Sequence, residues 1–540
     1  MLNKLPEEKF TYTPSFKEKD AIPLWFCFPS TYMIGMASLG FLNLFRILDQ
    51  NKNVFPERIF TDTEKTFHNV KNIEMIGFSF SFELDFLGMF KILEKHNIPL
   101  RSKDRGDHHP LIFGGGPVLT ANPEPYADFF DVIVIGEGEE ILIELINEYK
   151  IAENLKNKQE KLLHLVKIQS IYVPSLYNIE YNSDNTIKTY IKNYPELPQS
   201  LKKRCIKNLS NCIYSPIITE KSMFSGMFLI ETARGCPKKC RFCLASYLNL
   251  PARYPDYKNI IDAIDTALDF SNKIGLLGAL ITEHPDFEKI CEYILDKRKK
   301  QQFELSMSSL RADKMTPLIV KTLKQCGQRQ ITIAVEAGSE RLRKFINKQL
   351  SEKDIVENVK TAGINGLSGL KIYGIIGLPT ETQQDIDELI CLITKLKQEN
   401  KSLKLTLSIS SFVPKAHTPF QWEKREKNSI LQEKSDYLKR ELYKNKILFK
   451  PTSIKWDYIQ AVLSRGDRRL SSLLERVYRY NGSLGSWGRA FKELKTEINI
   501  PELDWYALRQ RTYEEILPWD FIDVGLSRQT LRKEHERAYL

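Results

Sequence analysis

Gly235-Cys236-Pro237-Lys238-Lys239-Cys240-Arg241-Phe242-Cys243 is the stretch on which the reading of this chain turns. Three thiols within eight residues fit one compact loop, and the C-x3-C-x2-C spacing can hold three corners of a cubane iron–sulfur cluster. A [4Fe–4S] centre with one cysteine per iron takes four, so a loop of three leaves one iron open to a small molecule. A structural zinc site and a group of buried packing cysteines are the other readings. Zinc closes with four ligands, usually supplied in two pairs, whereas the next cysteine here is Cys291 and the next histidine His284. Packing cysteines do not sit among Gly, Pro, Lys and Arg, which mark an exposed loop. The spacing favours the cluster.

Downstream of the loop a strand–helix rhythm runs for six units. Strands are expected at 227–231, 276–282, 303–308, 330–335, 370–376 and 403–411. Apolar residues three and four apart, as in Ile260, Ile264 and Leu268, mark the helices between them. Alternating βα units build a parallel sheet, and in barrels of such units the chemistry belongs to the carboxyl-terminal face.

The cysteine loop and the six repeats together resemble the radical S-adenosylmethionine (SAM) superfamily, whose fold is a partial (β/α)6 barrel. The resemblance implies that Cys236, Cys240 and Cys243 bind a [4Fe–4S] cluster and that the open iron chelates SAM. An electron from the cluster then splits SAM to a 5′-deoxyadenosyl radical. Phe242, the aromatic residue before the last cysteine, fits the superfamily pattern and is expected at the adenine.

Later strand ends supply SAM contacts in the same order. Ser308 and Arg311 follow the third strand, where a hydroxyl would bond the ribose and a guanidinium fork would meet the SAM carboxylate. Glu336 closes the fourth strand; a lone carboxylate there is either a SAM contact or the partner of a nearby cation. Gly374, Ile376 and Gly377, in Gly374-Ile375-Ile376-Gly377-Leu378-Pro379, resemble the adenine-supporting segment. After the sixth strand, Ser411-Phe412-Val413-Pro414-Lys415-Ala416-His417-Thr418-Pro419 resembles the turn that ends the barrel of tRNA methylthiotransferases. Lys415 and His417 are expected at the barrel mouth as catalytic, substrate-handling residues, with a packed structural turn as the alternative. Thr282-Glu283-His284-Pro285 is a further candidate.

Upstream, apolar runs at 21–28, 74–80, 111–113 and 131–135 alternate with helical patterns at 39–48 and 84–94, which predicts a Rossmann-like parallel sheet. Ligands bind outside the carboxyl ends of such strands, and two glycine clusters fall there, Gly114-Gly115-Gly116-Pro117 and Gly136-Glu137-Gly138-Glu139-Glu140. This order resembles the cobalamin-binding-type domain that precedes many radical SAM barrels. The D-x-H-x-x-G signature is absent: none of the eight histidines sits in it. Either cobalamin binds without a protein histidine or the domain lacks the cofactor.

The fold class is thus α/β, with an N-terminal Rossmann-like domain over 1–150, a strand-containing connector over 151–224, a radical SAM barrel over 225–425 and a mainly helical extension over 426–540. The last part contains Arg465, Arg468 and Arg469, which would bind phosphate or pair with local carboxylates. It does not resemble the small β-barrel RNA module of tRNA methylthiotransferases. Across its whole length the chain looks like a B12-binding-domain branch of the superfamily whose substrate is unassigned.

Nine cysteines without framework spacing point to a reducing compartment. A polar start over 1–19 and the lack of a long apolar run point to a cytoplasmic protein with no membrane partner. The formal charge of +11 leaves nucleic acid open as a partner. The chemistry needs an unidentified substrate and a reductant such as flavodoxin or ferredoxin. Three functions are weighed: hydrogen abstraction by a radical SAM enzyme, cobalamin-dependent radical methyl transfer, and RNA modification.

Overall fold

In the computed structural model, the described residues are 7–209, 212–308 and 310–540; residues 1–6 of the polar amino-terminal stretch and Ser309 lie outside them. Two main parallel arrays organise the chain. The first sheet runs in the order Val54–Ile59, Ile22–Cys27, Met75–Ser79, Leu111–Gly115, Val132–Val134, Ile171–Tyr172. Its first five strands are parallel and the last is antiparallel. Sheets covered by helices on both faces need strands that are apolar throughout, and Leu24, Trp25, Phe26 and Cys27 are all buried.

The antiparallel edge, Ile171–Tyr172, comes from the segment expected as a connector. The same segment supplies the hairpin Tyr177–Tyr181 with Ile187–Lys192, and Leu201–Lys202, which pairs in parallel with Ile522–Asp523 near the carboxyl terminus.

The second array has seven strands where six were expected. Phe228–Ala233, Lys273–Gly278 and Glu304–Met307 form one parallel group. Gln330–Glu336, Gly369–Ile376, Lys404–Ser411 and Leu448–Pro451 form another. A Leu310–Ile333 bridge joins the two into an open barrel. The seventh strand escapes an apolar-run reading because Leu448, Lys450 and Pro451 are exposed. Its Pro451 is tolerated because the strand lies at an edge. The second strand starts and ends earlier than expected. The apolar run continues through Leu280 and Ile281, which are buried in a turn, so hydrophobicity alone does not mark the end of pairing.

Side-chain parity defines the inside of the barrel. Ile331, Ile333 and Val335, Leu370, Ile372 and Ile376, and Leu405, Leu407 and Ile409 join the core under the helices. Alternate residues point the other way along a strand, so Thr332, Ala334 and Glu336, Lys371, Tyr373 and Ile375, and Thr406, Ser408 and Ser410 line the interior.

Much of the helical extension shares its core with the first sheet rather than with the barrel. Trp487 packs edge-on to Phe86 at 6.2 Å and Tyr478 to Phe90 at 5.4 Å. Arg101 reaches Glu475 at 2.7 Å. Among the described residues no helix is long and apolar enough to cross a membrane.

Candidate functional site

The cysteine loop leaves the first barrel strand at Gly235, whose φ of +79° and position 2.3 Å (for an added Cβ) from the Asn249 carbonyl admit only glycine. Within the loop, Cys243 N–H donates to the Cys240 carbonyl at 3.0 Å. Asn347 donates to the Lys239 carbonyl at 3.0 Å. Buried Arg241 donates to the carbonyls of Lys344 at 3.1 Å and Phe345 at 2.5 Å and pairs with Glu534 at 2.9 Å. The loop is therefore bolted to the segment after the fourth strand and to the helix Arg528–Glu536.

Cys236 and Cys243 are half-buried and Cys240 is buried; all three are free thiols. Burial pushes the Cys240 thiol up to about 12, Lys348 opposes that rise, and Cys243, Glu336 and Cys236 add to it. Those groups therefore lie within electrostatic reach of the Cys240 thiol. Among the described residues no three His, Cys, Asp or Glu side chains are gathered as ligands of a single metal ion. Three cysteines on one anchored loop, with cations beside them, fit a cluster that needs three thiolates.

Opposite the loop, Glu336 ends the fourth strand at a break in register, with φ +69°. A non-glycine residue in that region is strained, and such strain collects at functional sites. Its carboxylate meets Lys348 at 3.0 Å. Lys348 is presented by two left-handed neighbours, Asn347 (φ 55°) and Gln349 (φ 50°). Burial pulls the Lys348 ammonium down, but Glu336 and Cys240 outweigh it and hold the group above its usual range, so it stays charged. Buried Arg311 donates to the Gln349 carbonyl at 2.5 Å and lies 2.8 Å from Asp313 in an ion pair without hydrogen-bond alignment. Ser308 follows the third strand and donates to the Gly278 carbonyl at 3.3 Å. Arg311 and Glu336 of this group are expected from the sequence, and Lys348 is not. The one available signal was a lysine between residues that tolerate a left-handed turn.

Parity corrects the expected adenine segment. Ile376 is buried under the helices, and a Cβ on Gly374 would meet Ile409, part of that same core. Gly377 turns the chain (φ +77°) and donates its N–H to Glu381 at 2.9 Å. None of the three faces the interior through a side chain. Ile375 does, and it packs with Phe242 on a small cluster of Ala337, Leu378, Phe412 and Phe420 at the strand ends.

Lys415 and His417 are also corrected. Neither lies at an open mouth; both are wedged between the first sheet and the helical extension. Lys415 pairs with Glu83 and donates to Ser464 at 2.9 Å. Burial alone would raise Glu83, but Lys415, Gln460 and Ser464 reverse that and keep it ionised. His417, only 4% exposed, sits beside Trp519 with Nε2 unpartnered among the described residues. Burial drives it down to about 3, so the ring is neutral at physiological pH. His284 serves structure too, with Nε2 at 2.9 Å from the Pro255 carbonyl.

The arginine group of the extension follows the carboxylate-pairing reading. Arg468 pairs with fully buried Glu124 at 2.9 Å and Arg469 with Asp467 at 2.7 Å, while Arg465 donates to the carbonyls of Ala507 and Arg509.

The Gly136–Glu140 turn of the first sheet reaches across to the cysteine loop. Glu137 takes two hydrogen bonds from Arg253, at 2.8 and 2.5 Å, and one from Ile206 N–H at 2.8 Å. Glu139 lies 2.8 Å from Arg234, which also grips Glu231 through two bonds at 3.0 and 2.8 Å. Arg234 immediately precedes Gly235, and Arg234 and Arg253 exchange backbone hydrogen bonds.

The glycines of both clusters serve chain crossings. An added Cβ at Gly116 would lie 2.3 Å from the Phe80 carbonyl, and at Gly136 2.2 Å from that of Arg204. Glu137 and Glu139 are committed to arginines and neither glycine cluster carries a histidine, so neither carboxylate and no histidine of these turns is presented to a cobalamin.

Two family models match the chain. One describes the N-terminal region of radical SAM proteins and matches residues 63–174; the other describes the radical SAM superfamily and matches residues 230–393. An uncharacterized protein of Methanocaldococcus jannaschii is 30% identical over 417 residues, 76% of this chain and 82% of that protein. An uncharacterized methyltransferase of Pyrococcus horikoshii is 24% identical over 293 residues, 52% of this chain and 57% of the relative. Among solved structures, the cobalamin-dependent SAM radical enzyme OxsB, with aqua-cobalamin and SAM bound, aligns at 14% identity and TM-score 0.48, covering 88% of this chain and 71% of OxsB.

Proposed function

The chain belongs to the radical SAM superfamily, and from that premise we propose that it is an enzyme abstracting hydrogen from a substrate bound inside the barrel. Membership brings a [4Fe–4S] cluster and SAM; when bound, they supply one-electron cleavage of SAM to a 5′-deoxyadenosyl radical. One observation carries the reading: Cys240, Lys348, Glu336 and Arg311 converge at the carboxyl ends of the barrel strands.

The chain's own residues do the rest. Cys236, Cys240 and Cys243 hold the cluster, and Arg241 fixes the loop that carries them. Arg311 offers a guanidinium fork to the SAM carboxylate. Glu336 accepts from the amino group or ribose and is held in place by its ion pair with Lys348 at 3.0 Å. Ile375 and Phe242 form the apolar floor for the adenine and exclude water. Lys371 donates to the Tyr373 hydroxyl at 3.1 Å on the interior wall, where a substrate would lie. No step is assigned to cobalamin.

The test is anaerobic reconstitution. About four irons and four sulfides per chain are expected, with slow 5′-deoxyadenosine formation from SAM and dithionite even without substrate. Replacement of all three loop cysteines by Ala abolishes both. Stoichiometric zinc without iron–sulfur absorption would remove the reading.

A further inference from the structure

We propose that the outer face of the cysteine loop is the docking surface for an acidic one-electron carrier protein. This rests on the cluster reading above. Cys240 is buried, but Pro237 and Lys239 beside it are exposed, so the loop brings the thiols of the site close to the surface.

Around that approach the surface is a collar of exposed cations. Lys239 and Lys344 are exposed, and among the described residues neither ammonium has a hydrogen-bond or ion-pair partner. Asn347 holds them side by side: its amide side chain donates to the Lys239 carbonyl at 3.0 Å and its backbone N–H to the Lys344 carbonyl at 2.9 Å. Arg537, 69% exposed, stands one turn beyond the Glu534 that grips Arg241, with only a long 3.4 Å contact to Glu534. Nearby carboxylates are already neutralised, Glu283 by Lys238 at 2.9 Å and Glu534 by Arg241 at 2.9 Å. The collar therefore presents net positive charge at the loop.

Such a patch steers a negatively charged partner and raises its encounter rate, an effect that salt screens. A small collar interleaved with carboxylates suits the compact acidic face of a protein better than nucleic acid, whose backbone calls for an extended basic track. The transfer balances simply. The carrier loses one electron, the cluster gains one, and no bond of this chain is made or broken.

The test is the rate at which flavodoxin hydroquinone bleaches the reconstituted cluster in stopped flow at low ionic strength. The double variant K239E/K344E should react about tenfold or more slowly and lose its salt dependence, while iron content and the dithionite-driven rate stay at wild-type values. K299E/K300E makes the same change in net charge at the other end of the barrel, where the helix Phe287–Lys300 runs toward the start of the third strand, and should react normally. The proposal is overturned by an unchanged flavodoxin rate in K239E/K344E, by an equal drop in the control, or by a parallel loss of iron or of dithionite reduction. Loss of tRNA binding with an unchanged flavodoxin rate would overturn it in favour of nucleic acid. Failure of the cluster reading looks different: the wild-type protein would then carry no bleachable iron.

Discussion

Replacing Glu137 by Ala removes the centre of the contact between the first sheet and the cysteine loop. The carboxylate accepts from Arg253 at 2.8 and 2.5 Å and from Ile206 N–H at 2.8 Å, and lies 3.4 Å from Arg234. Charge-assisted hydrogen bonds contribute about 1.5–3 kcal/mol each, but bonds to one carboxylate are not additive. Breaking a buried pair costs about 3–5 kcal/mol, chiefly by stranding the remaining charge. Side-chain exposures of 13% for Glu137 and 6% for Arg253 place the pair just short of full burial. Arg253 also keeps the Ile206 and Pro251 carbonyls, and Arg234 keeps Glu231 and Glu139. We therefore expect about 3 kcal/mol, the lower end of that range. Amide hydrogen exchange of the reconstituted protein reads this locally. Protection over residues 234–243 should fall about a hundredfold, since about 1.4 kcal/mol is one decade, while the helices of the extension keep theirs. A cycle with Arg253→Ala should give a coupling near 2 kcal/mol. Coupling under about 0.5 kcal/mol, or protection lost evenly across the barrel, would refute the clamp.

Four further outcomes follow from the geometry. Arg311→Ala, Glu336→Ala and Lys348→Met should each weaken SAM binding by about 1–3 kcal/mol with iron retained, as read by calorimetry; normal SAM affinity would remove that residue from the site. Ile375→Ala should weaken SAM, whereas Ile376→Ala should cost about 2–4 kcal/mol of stability and leave SAM affinity unchanged, so denaturation and binding must separate the two neighbours. His417 is neutral in the fold, with its value lowered to about 3, whereas the unfolded ring protonates near 6.5. The unfolded state then binds the extra proton, so stability falls by up to about 1.4 kcal/mol per pH unit as pH drops from about 6.5 toward 3. His417→Gln should flatten that slope by one proton, and an unchanged slope would contradict the burial. Protein produced with hydroxocobalamin and desalted should show no cobalamin absorption; a stoichiometric corrinoid band would overturn the reading of the first sheet's strand ends.

The cysteine loop, the βα rhythm, Arg311 and Glu336 were legible because each is local. Spacing within nine residues fixes which thiols share a loop, and apolar period fixes which segments become strands. Ile376 was misread because a strand shows its alternation but not which phase faces the helices; burial in the core that also holds Leu389 and Leu431 decided that. Lys415 and His417 follow a strand end, as a substrate residue would. Lys415 is paired and half-buried, and His417 is buried, because Glu83 and Trp519 arrive from opposite ends of the chain. Lys348 and the Glu137–Arg253 clamp were invisible for the same reason: an ion pair spanning 116 residues leaves no periodic trace. The sequence alone determined the superfamily and singled out the three thiols proposed to hold the cluster, since both readings rest on chemistry carried within one short segment. The tertiary structure decided which charges meet, because Coulomb and hydrogen-bond energies depend on distance in space and not on distance along the chain.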